Sequence, residues 1–361
     1  MNTFAPDLNL KSLDNLQKYH KKSDDKIFSS HLIGDPNGFH AIISNYGAKL
    51  ISLFVPDAHG QLADVVAGYD TIEEYLKGCP YYGAICGRYA NRIAYGKFSL
   101  GMKKYQLDTN LPPHMLHGGS KGIQSHVWAW TEQTEKIAAL KLGSPDGDMG
   151  FPGSLEITIK YSIESDHSLL IEYQATSDQD TVINLATHSY FNLRGKGDIL
   201  NHRLQISAHQ ITEIDQDCIP TGRLISITDT PLDFRKEKEI GSEINSGHSL
   251  MRWTNGYDHN FVLDEGNHQD KQAAVLSDLD SGRRMIISTS QPGLQLYTCN
   301  WGADTDAGKN GSIYQARSFV CLEPQHFPDS PNHSAFPDTT LKVGDTYQHW
   351  CRYRFENFKT L

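Results

Sequence analysis

Short strand-like segments follow one another along nearly the whole chain, with few helical segments between them. They are rich in β-branched and aromatic residues and are separated by turn residues such as Asn-Gly, Asp-Gly and Gly-Lys-Gly. Examples are HAIISNYGAKLISLFVP, LEITIKYSI, SLLIEYQAT, TVINLATHSYFNL, SFVCLEP and HWCRYRF. Strands that follow strands without intervening helices are typical of antiparallel sheets. The chain is therefore predicted to be all-β, a large antiparallel β-sandwich with few short helices.

Helical patterns are rare and short. The clearest is DTIEEYLKG, for which Asp70 is the predicted N-cap. Near the N-terminus, leucines at a spacing of three residues predict a short amphipathic helix. We interpret residues 1–26 as an N-terminal extension. Residues 27–361 are interpreted as a single sandwich domain, because no repeat or low-complexity linker divides them.

Charge and cysteine content restrict the partners and the location of the protein. A net charge of −10 and a pI near 5.9 argue against a nucleic acid or an anionic membrane as partner. The N-terminal sequence has no secretory signal pattern, and no apolar run approaches the ~20 residues that span a bilayer. The six cysteines are scattered, without a Cys-x-x-Cys pair, which favours reduced thiols. We expect a cytoplasmic monomer or homodimer that acts on a neutral small molecule.

Several familiar site patterns are absent from the sequence. It contains no phosphate-binding G-x-x-x-x-G-K-[ST], no strand-to-helix G-x-G-x-x-G and no G-x-S-x-G elbow. The closest histidine pairs have no cysteine or carboxylate partners at ligand-like spacing, and H-E-x-x-H does not occur. We therefore expect no catalytic metal.

The segment NLATHSYFNL, residues 184–193, alternates apolar and polar positions. One face gathers Asn184, His188, Tyr190 and Asn192, side chains that suit the hydroxyl groups and C–H face of a sugar. Two interpretations of His188 remain open at this point. It is either a hydrogen-bonded strand histidine without a chemical role or an acid in a binding site.

Glu323 follows the apolar run FVCL and is therefore predicted to be partly desolvated. Burial of a carboxylate is costly unless the group is paired or is used in chemistry. Pro324, which follows Glu323 directly, favours a strand end at Glu323, because proline cannot donate to a sheet ladder. Glu323 is thus either a working carboxylate or the ion-pair partner of an arginine: Arg88, Arg92 or Arg317.

Three further segments place polar side chains in turns or strands. GRYANRIAYGKF contains Asn91 and Arg92, and PHMLHGGSKG sets His117 before two glycines that permit close approach of the backbone to a ligand. Asp258 begins the strand YDHNFVL, and Gln295 alternates with aromatic residues in GLQLYTCNW. Each of two residues also has a purely structural interpretation. His117 would form a hydrogen bond within its loop, and Asp258 would cap a turn. Such faces together predict a shallow groove for a hydroxyl-rich ligand.

These segments resemble the aldose 1-epimerases, the galactose mutarotase family, over about residues 30–356. The resemblance is carried, in order along the chain, by GRYANRIAYGKF, LHGGSKG, INLATHSYFNL, YDHNF, PGLQLYTCNW and LEPQHFPDSPN. It implies a galactose mutarotase-like supersandwich with a sugar bound in a groove, and neither a metal nor an organic cofactor. It also implies that the protein interconverts the α and β anomers of free aldohexoses such as galactose and glucose.

The resemblance also implies roles for individual residues. Glu323 matches the general base that acts on the anomeric hydroxyl, and His188 matches the general acid that acts on the ring oxygen. The remaining matched residues would hold the sugar hydroxyls: Asn91, Arg92, His117, Asp258 and Gln295.

Three positions depart from the family pattern. Thr187 stands where asparagine is expected, Pro324 where threonine is common, and Ile123 where an aromatic residue is usual. None of them removes an acid, a base or a hydroxyl ligand. They bear on substrate preference and on the geometry around the site.

Three other functions are compatible with parts of this pattern. A hexose-6-phosphate 1-epimerase would need a basic cluster for the phosphate, preferably of bidentate arginines. A non-catalytic carbohydrate-binding sandwich would need the groove but not an acid together with a base. A glycoside hydrolase would need two carboxylates, for which Glu323 and Asp258 are the candidates.

Overall fold

Antiparallel strands form most of the regular structure. The computed structural model describes residue 16 and residues 18–23, 26–264, 272–301 and 307–358. The predicted all-β class is confirmed. In chain order the strands are β1 (Lys21–Ser23), β2 (Lys26–Phe28), β3 (Ser30–Gly34), β4 (His40–Ser44), β5 (Lys49–Pro56), β6 (Leu62–Asp64), β7 (Ala84–Cys86), β8 (Arg92–Ile93), β9 (Lys97–Leu100), β10 (Lys103–Gln106), β11 (Met115–Leu116), β12 (Ala129–Gln133), β13 (Ile137–Ser144), β14 (Leu155–Ile163), β15 (Ser168–Ser177), β16 (Thr181–Val182), β17 (Ala186–His188), β18 (Tyr190–Phe191), β19 (Arg203–Ile206), β20 (Ala208–Ile214), β21 (Pro220–Ser226), β22 (Lys238–Glu239), β23 (Asp258–Leu263), β24 (Gln272–Asp278), β25 (Arg283–Thr289), β26 (Gly293–Tyr297), β27 (Val320–Gln325), β28 (Thr340–Leu341) and β29 (Tyr347–Asn357).

Helical structure in the described residues is brief. The α-helix α1 spans Ile72–Lys77. Short 3₁₀ turns lie at Ala94–Gly96, Ile123–Ser125, Asp148–Gly150, Ile240–Ser242, Ser249–Met251, Lys309–Gly311 and Ser330–Asn332. No helix in these residues is long and apolar enough to cross a membrane.

Two large sheets organise the molecule. The larger has nine strands in the order β12-β13-β14-β15-β29-β25-β24-β19-β22, and the second has six in the order β18-β27-β26-β23-β20-β21. A four-stranded sheet, β3-β4-β5-β6, adds to the core. The C-terminal strand β29 lies in the middle of the nine-stranded sheet, between β15 and β25.

The main core forms where the sheets face each other. Along β14 every second side chain from Leu155 to Tyr161 is buried, as the period-2 alternation of LEITIKYSI predicts. Leu294, Leu296 and Leu322 of the six-stranded sheet belong to the same apolar cluster. Because neighbouring side chains of a strand point to opposite faces, the residues between these leucines lie on the other face of the six-stranded sheet.

The cap of α1 differs from the prediction. The N-cap is Thr71, whose Oγ1 accepts from the Glu74 backbone N–H at 3.3 Å, while Glu74 Oε2 accepts from the Thr71 N–H at 2.9 Å. This reciprocal capping box begins the helix one residue later than expected. The predicted cap, Asp70, instead accepts a hydrogen bond from the backbone N–H of Asn310.

The N-terminal extension is described only in part. Leu10 and Leu13, on which the prediction of a short helix depends, lie outside the described residues. Strands β1 and β2 pair with each other, and the nearby Tyr19 is buried. The Tyr19 hydroxyl donates to the carbonyl of Tyr69 at 2.8 Å, which fixes this part of the chain to the residues just before α1.

Candidate active site

Three adjacent strands of the six-stranded sheet place polar side chains in register. Glu323 of β27 lies opposite Gln295 of β26, which lies opposite Asn260 of β23. Two residues along, Asp258 pairs with Tyr297 in the same ladder. The alternation that buries leucines in the core therefore presents carboxylates and carboxamides on the opposite face.

This polar face borders a cavity of about 220 Å³. All seven residues to which the family resemblance gives a catalytic or sugar-binding role line it, although they come from distant parts of the chain. A larger cavity of about 690 Å³, lined by Phe39 and Ile163, has no comparable set of candidate residues. The lining residues of the smaller cavity are Tyr81, Asn91, Arg92, Leu116, His117, His188, Tyr190, Asp258, Gln295, Tyr297, Trp301 and Glu323.

Glu323 and His188 approach each other at the cavity wall. Nε2 of His188 lies 3.8 Å from Oε1 of Glu323, and both side chains are almost completely buried. Oε2 of Glu323 has no hydrogen-bond partner among the described residues. Burial, followed by the negative charge of Asp258, raises the pKa of Glu323 well above its usual range.

The arginine-paired alternative for Glu323 is wrong. Arg88 donates to the carbonyls of Ser144, Pro145, Pro152 and Gly153, and Arg317 donates to Asn300 and to the Asn255 carbonyl. Arg92 forms its ion pair with Asp258.

The strand end predicted after Glu323 is also wrong, since β27 continues to Gln325. The ladder with β18 involves only Val320 and Cys321, so the missing N–H of Pro324 costs no bond on that side.

The imidazole of His188 lies between two tyrosine rings. Its centroid is 4.8 Å from that of Tyr190 and 5.8 Å from that of Tyr81, and both pairs of rings are nearly parallel. Burial lowers the pKa of His188 to about 4. The two tyrosines restrict the plane of the ring, within which Nε2 lies on the side of Glu323.

His117 and Asn91 hold each other through reciprocal hydrogen bonds. The Asn91 N–H donates to Nδ1 of His117 at 3.1 Å, and the His117 N–H donates to the Asn91 carbonyl at 3.0 Å. Because Nδ1 accepts, the proton of the neutral ring is on Nε2, where it is available as a donor. Burial, followed by the charges of His188 and Arg92, lowers the pKa of His117 well below its usual value.

The first glycine after His117 has a different role from the one predicted. A Cβ on Gly118 would lie 1.8 Å from the carbonyl oxygen of Gly87. The absent side chain thus makes room for protein backbone rather than for a ligand.

Asp258 is held by two neighbours. Nε2 of Gln295 donates to Oδ1 at 2.5 Å, and Nη2 of Arg92 lies 3.4 Å from Oδ2. Nε2 of Gln325 donates to Oε1 of Gln295 at 3.4 Å, which orients the Gln295 amide towards Asp258. The turn-cap interpretation of Asp258 does not describe these contacts, because its side-chain oxygens both face other cavity residues.

Two asparagines assigned to the polar face of NLATHSYFNL do not reach the cavity. The Asn184 amide donates to the carbonyls of Ala90 and His326. The Asn192 amide donates to the carbonyls of Lys196, Gly197 and Ser318. The segment is divided into β17 and β18 at Ser189, so a single strand alternation does not extend across it.

The three departures from the family pattern lie off the cavity. Thr187 is buried, with Oγ1 3.1 Å from the Ser189 hydroxyl oxygen. Pro324 lies opposite Leu294 in the ladder, and Ile123 is part of the main core.

Tyr81 and Leu116 also line the cavity and are not predicted from the sequence. Tyr81 lies in the segment CPYYGAI, which has no polar alternation that would have marked it.

Comparison with known proteins identifies the family of the chain. The family profile described as aldose 1-epimerase matches residues 29–354. The chain is 39% identical to galactose mutarotase from Mus musculus over 315 residues, which are 87% of this chain and 90% of that protein. It is 33% identical to aldose 1-epimerase from Escherichia coli K12 over 321 residues, 88% of this chain and 92% of that protein.

Solved structures show the same similarity. A crystal structure of an aldose epimerase homologue from C. elegans superposes with a TM-score of 0.86 at 30% identity, covering 92% of this chain and 100% of that chain. Galactose 1-epimerase from Lactobacillus acidophilus superposes with a TM-score of 0.83 at 28% identity, covering 94% and 97%. The family resemblance and the sandwich fold predicted from the sequence are confirmed, and the chain belongs to the aldose 1-epimerase family.

Proposed function

We propose that the protein is an aldose 1-epimerase that interconverts the α and β anomers of free aldohexoses such as galactose and glucose. Glu323 is the general base and His188 the general acid. The observation that supports these roles is the approach of Nε2 of His188 to Oε1 of Glu323, 3.8 Å apart at the wall of a polar cavity.

The reaction needs one base and one acid. Opening the cyclic hemiacetal removes the proton of the anomeric hydroxyl and delivers a proton to the ring oxygen. Glu323 takes the first proton and His188 gives the second, after which rotation about C1–C2 presents the other face of the aldehyde. Ring closure returns both protons, with the roles of the two residues exchanged. Each well-placed group is typically worth ~10²–10⁴ in rate.

The protonation of the pair is consistent with this cycle. Burial disfavours both a charged Glu323 and a charged His188. When the pair carries one proton, that proton is either on Glu323, with both groups neutral, or on His188, as a carboxylate and an imidazolium. The carboxylate–imidazolium state opens the ring, and ring opening produces the neutral state. The two states differ only in the position of one proton, so the enzyme returns to its starting state after each turnover.

Five residues are proposed to bind the sugar hydroxyls. Nε2–H of His117 and the guanidinium of Arg92 are donors, and the Asp258 carboxylate is an acceptor whose direction is set by its hydrogen bond with Gln295. Asn91 supports His117 through its backbone, and its side-chain amide N–H groups at the cavity wall are further donors. Trp301 is two-thirds exposed at the cavity and offers an apolar surface to the C–H groups of a sugar.

A phosphorylated substrate is disfavoured by the arginines. Arg88 and Arg317 donate to protein groups. Among Arg88, Arg92 and Arg317, only Arg92 lines the cavity, where its partner is Asp258. A phosphate would need a cluster of free cationic donors. We therefore propose free aldoses as substrates. A cytoplasmic location remains part of the proposal and is supported by the acidic composition and the scattered cysteines.

Polarimetry tests this function directly. Freshly dissolved α-D-galactose or α-D-glucose is mixed with the protein, and the approach to the equilibrium rotation is compared with the spontaneous rate. We expect acceleration with the free sugars and a much smaller effect with galactose 6-phosphate. Sugar binding without acceleration would favour a non-catalytic carbohydrate-binding protein and would overturn the proposal.

A further inference from the structure

Cys321 lies beside the Glu323–His188 pair and has no part in the proposed mechanism. It is two residues before Glu323 on β27, on the same face of the strand, and it is fully buried. One ligand atom each from His188, Cys321 and Glu323, namely an imidazole nitrogen, the thiol sulfur and a carboxylate oxygen, lie within 4.8 Å of one another. This combination of ligand types is the one that borderline-soft cations bind.

We propose that His188, Cys321 and Glu323 form a binding site for a thiophilic divalent cation such as Zn²⁺, and that this cation inhibits the enzyme. Ligand atoms around tetrahedral zinc, with bonds of about 2.0–2.3 Å, are separated by roughly 3.3–3.8 Å. The three groups therefore need to move inwards by about 1 Å or less. Oε2 of Glu323 has no hydrogen-bond partner among the described residues, so rotating the carboxylate towards the cation breaks no bond.

Charge balance favours the bound cation in this buried place. Zn²⁺ displaces one proton from the Cys321 thiol and one from the Glu323 carboxyl group, and the resulting thiolate and carboxylate neutralise its two positive charges. His188 binds as the neutral imidazole. Metal exchange for two protons thus leaves the net charge of the site unchanged, which avoids the cost of burying an unpaired charge.

The consequence for activity rests on the proposed function. A cation bound to Glu323 and His188 occupies both proposed proton-transfer groups and the part of the cavity nearest to the anomeric carbon. Inhibition is therefore expected to be competitive with the sugar. The thiol contributes to affinity for the metal and not to catalysis, so removing it should separate the two properties.

Metal binding is measured first, without an activity assay. Co²⁺ is added to the purified, reduced protein as a spectroscopic probe, and the near-ultraviolet band of a cobalt–thiolate bond is followed. We expect this band in the wild type and in Cys299→Ala, a matched control that removes a buried thiol two residues after the neighbouring strand β26, but not in Cys321→Ala. Calorimetry with Zn²⁺ should show binding that galactose weakens.

Inhibition is then measured by polarimetry. Cys321→Ala should retain basal activity within a few-fold, while the Zn²⁺ concentration for half-inhibition rises at least tenfold. Mg²⁺ at the same concentrations should not inhibit, because it prefers oxygen ligands. A cobalt–thiolate band that persists in Cys321→Ala, or an absence of Zn²⁺ binding in the wild type, would overturn the metal site whatever the activity. Zn²⁺ binding without mutarotation would leave the site standing and overturn the proposed function instead.

If Cys321→Ala does not fold, competition in the wild type still decides the matter. Zn²⁺ binding that saturating galactose does not affect would place the cation elsewhere and refute the proposal.

Discussion

Nε2 of His188 lies 3.8 Å from Oε1 of Glu323, although their strands are not hydrogen-bonded neighbours. β17 pairs with β7, and β27 pairs with β18 and β26. The pair is therefore assembled by the packing of separate ladders and not by a single hairpin. Any change that shifts one ladder against the other is expected to affect catalysis before it affects the sheets themselves.

Replacing the base should abolish most of the activity while the fold survives. Glu323→Gln preserves the size of the side chain but cannot accept the anomeric proton, so turnover is expected to fall by about a hundredfold or more. Polarimetry gives the rate, and circular dichroism with a thermal melt shows whether the variant is folded. Because burial raises the pKa of Glu323, this carboxyl group lowers the stability of the fold at neutral pH, and the melting temperature should not fall when it is replaced.

A matched control uses a carboxylate on another sheet. Glu172→Gln removes a partly exposed glutamate of β15 whose ion pair with Lys160 faces away from the core, and it should leave turnover unchanged. His188→Asn should behave like Glu323→Gln. Near-wild-type turnover in either folded site variant would exclude the assigned roles.

The pH dependence should differ from that of an ordinary histidine. The proposed reaction requires one proton on the pair, so kcat/KM falls when a second proton binds to His188. Burial lowers the pKa of His188 to about 4, so the acid limb of the profile is expected near pH 4 rather than near 6.5. Burial raises the pKa of Glu323, so activity should decline only when the pH passes above that raised value.

The profile is measured by polarimetry after the spontaneous, acid-catalysed rate is subtracted. Circular dichroism at each pH excludes unfolding as the cause of the acid limb. An acid limb near pH 6.5 in a fully folded protein would mean that the imidazole titrates as if exposed to solvent, contrary to its burial.

Much of the fold and the site follows from local patterns. The alternation in LEITIKYSI predicts which side chains of β14 are buried, and the apolar run before Glu323 predicts its desolvation. Both depend on the two-residue period of a strand, which is a property of the backbone. The family resemblance then supplies the partner of Glu323, because contacts between distant strands leave no periodic signal.

Other features could not be predicted because they depend on tertiary contacts. Gly118 is required by the Gly87 carbonyl, which is far away in the chain. Asn184 lies at a position that the strand alternation assigns to the cavity, but its amide donates to backbone carbonyls of two other loops. Tyr81 reaches the His188 ring from a segment without a pattern. In each case a neighbour distant in sequence decides the role of the residue.

Asp329 is predicted to position Arg92. The Asp329 N–H donates to the Arg92 carbonyl at 2.8 Å, and Oδ1 of Asp329 accepts from the Ala94 N–H at 2.9 Å, so one residue holds the chain on both sides of Ile93. Asp329→Ala leaves the Ala94 N–H without this acceptor, which costs about 1–3 kcal/mol of unfolding free energy. The backbone bond to the Arg92 carbonyl remains, but the chain is no longer held at Ala94, so Arg92 is positioned less firmly. KM for galactose should therefore rise about tenfold, with a smaller change in kcat.

Asp329→Asn is the matched variant, because its carboxamide oxygen can still accept from Ala94. It should retain most of the affinity for galactose. Steady-state polarimetry separates KM from kcat, and urea unfolding gives the stability. A purely structural role would lower stability in Asp329→Ala without changing KM, and that result would contradict the prediction.

Gly118 and Gly197 provide a comparison between steric and conformational effects. Both have left-handed backbones, with φ of +83° and +72°, but a Cβ on Gly118 meets the Gly87 carbonyl oxygen at 1.8 Å, whereas a Cβ on Gly197 meets nothing within 4 Å. Gly197→Ala should lower the free energy of unfolding by about 1–2 kcal/mol, the cost of a left-handed backbone at an alanine, and leave turnover intact.

Gly118→Ala should lower the free energy of unfolding by more than ~4 kcal/mol or prevent folding. The added Cβ would meet backbone atoms of Gly87, which cannot move away as the end of a flexible side chain could. If some of the variant folds, relief of the clash must displace the residue next to Gly118, which is His117, and KM for galactose should rise. Urea unfolding of the two variants side by side gives the difference in stability. Equal destabilisation of the two would show that the backbone conformation alone, and not the approach of Gly87, accounts for the glycine at position 118.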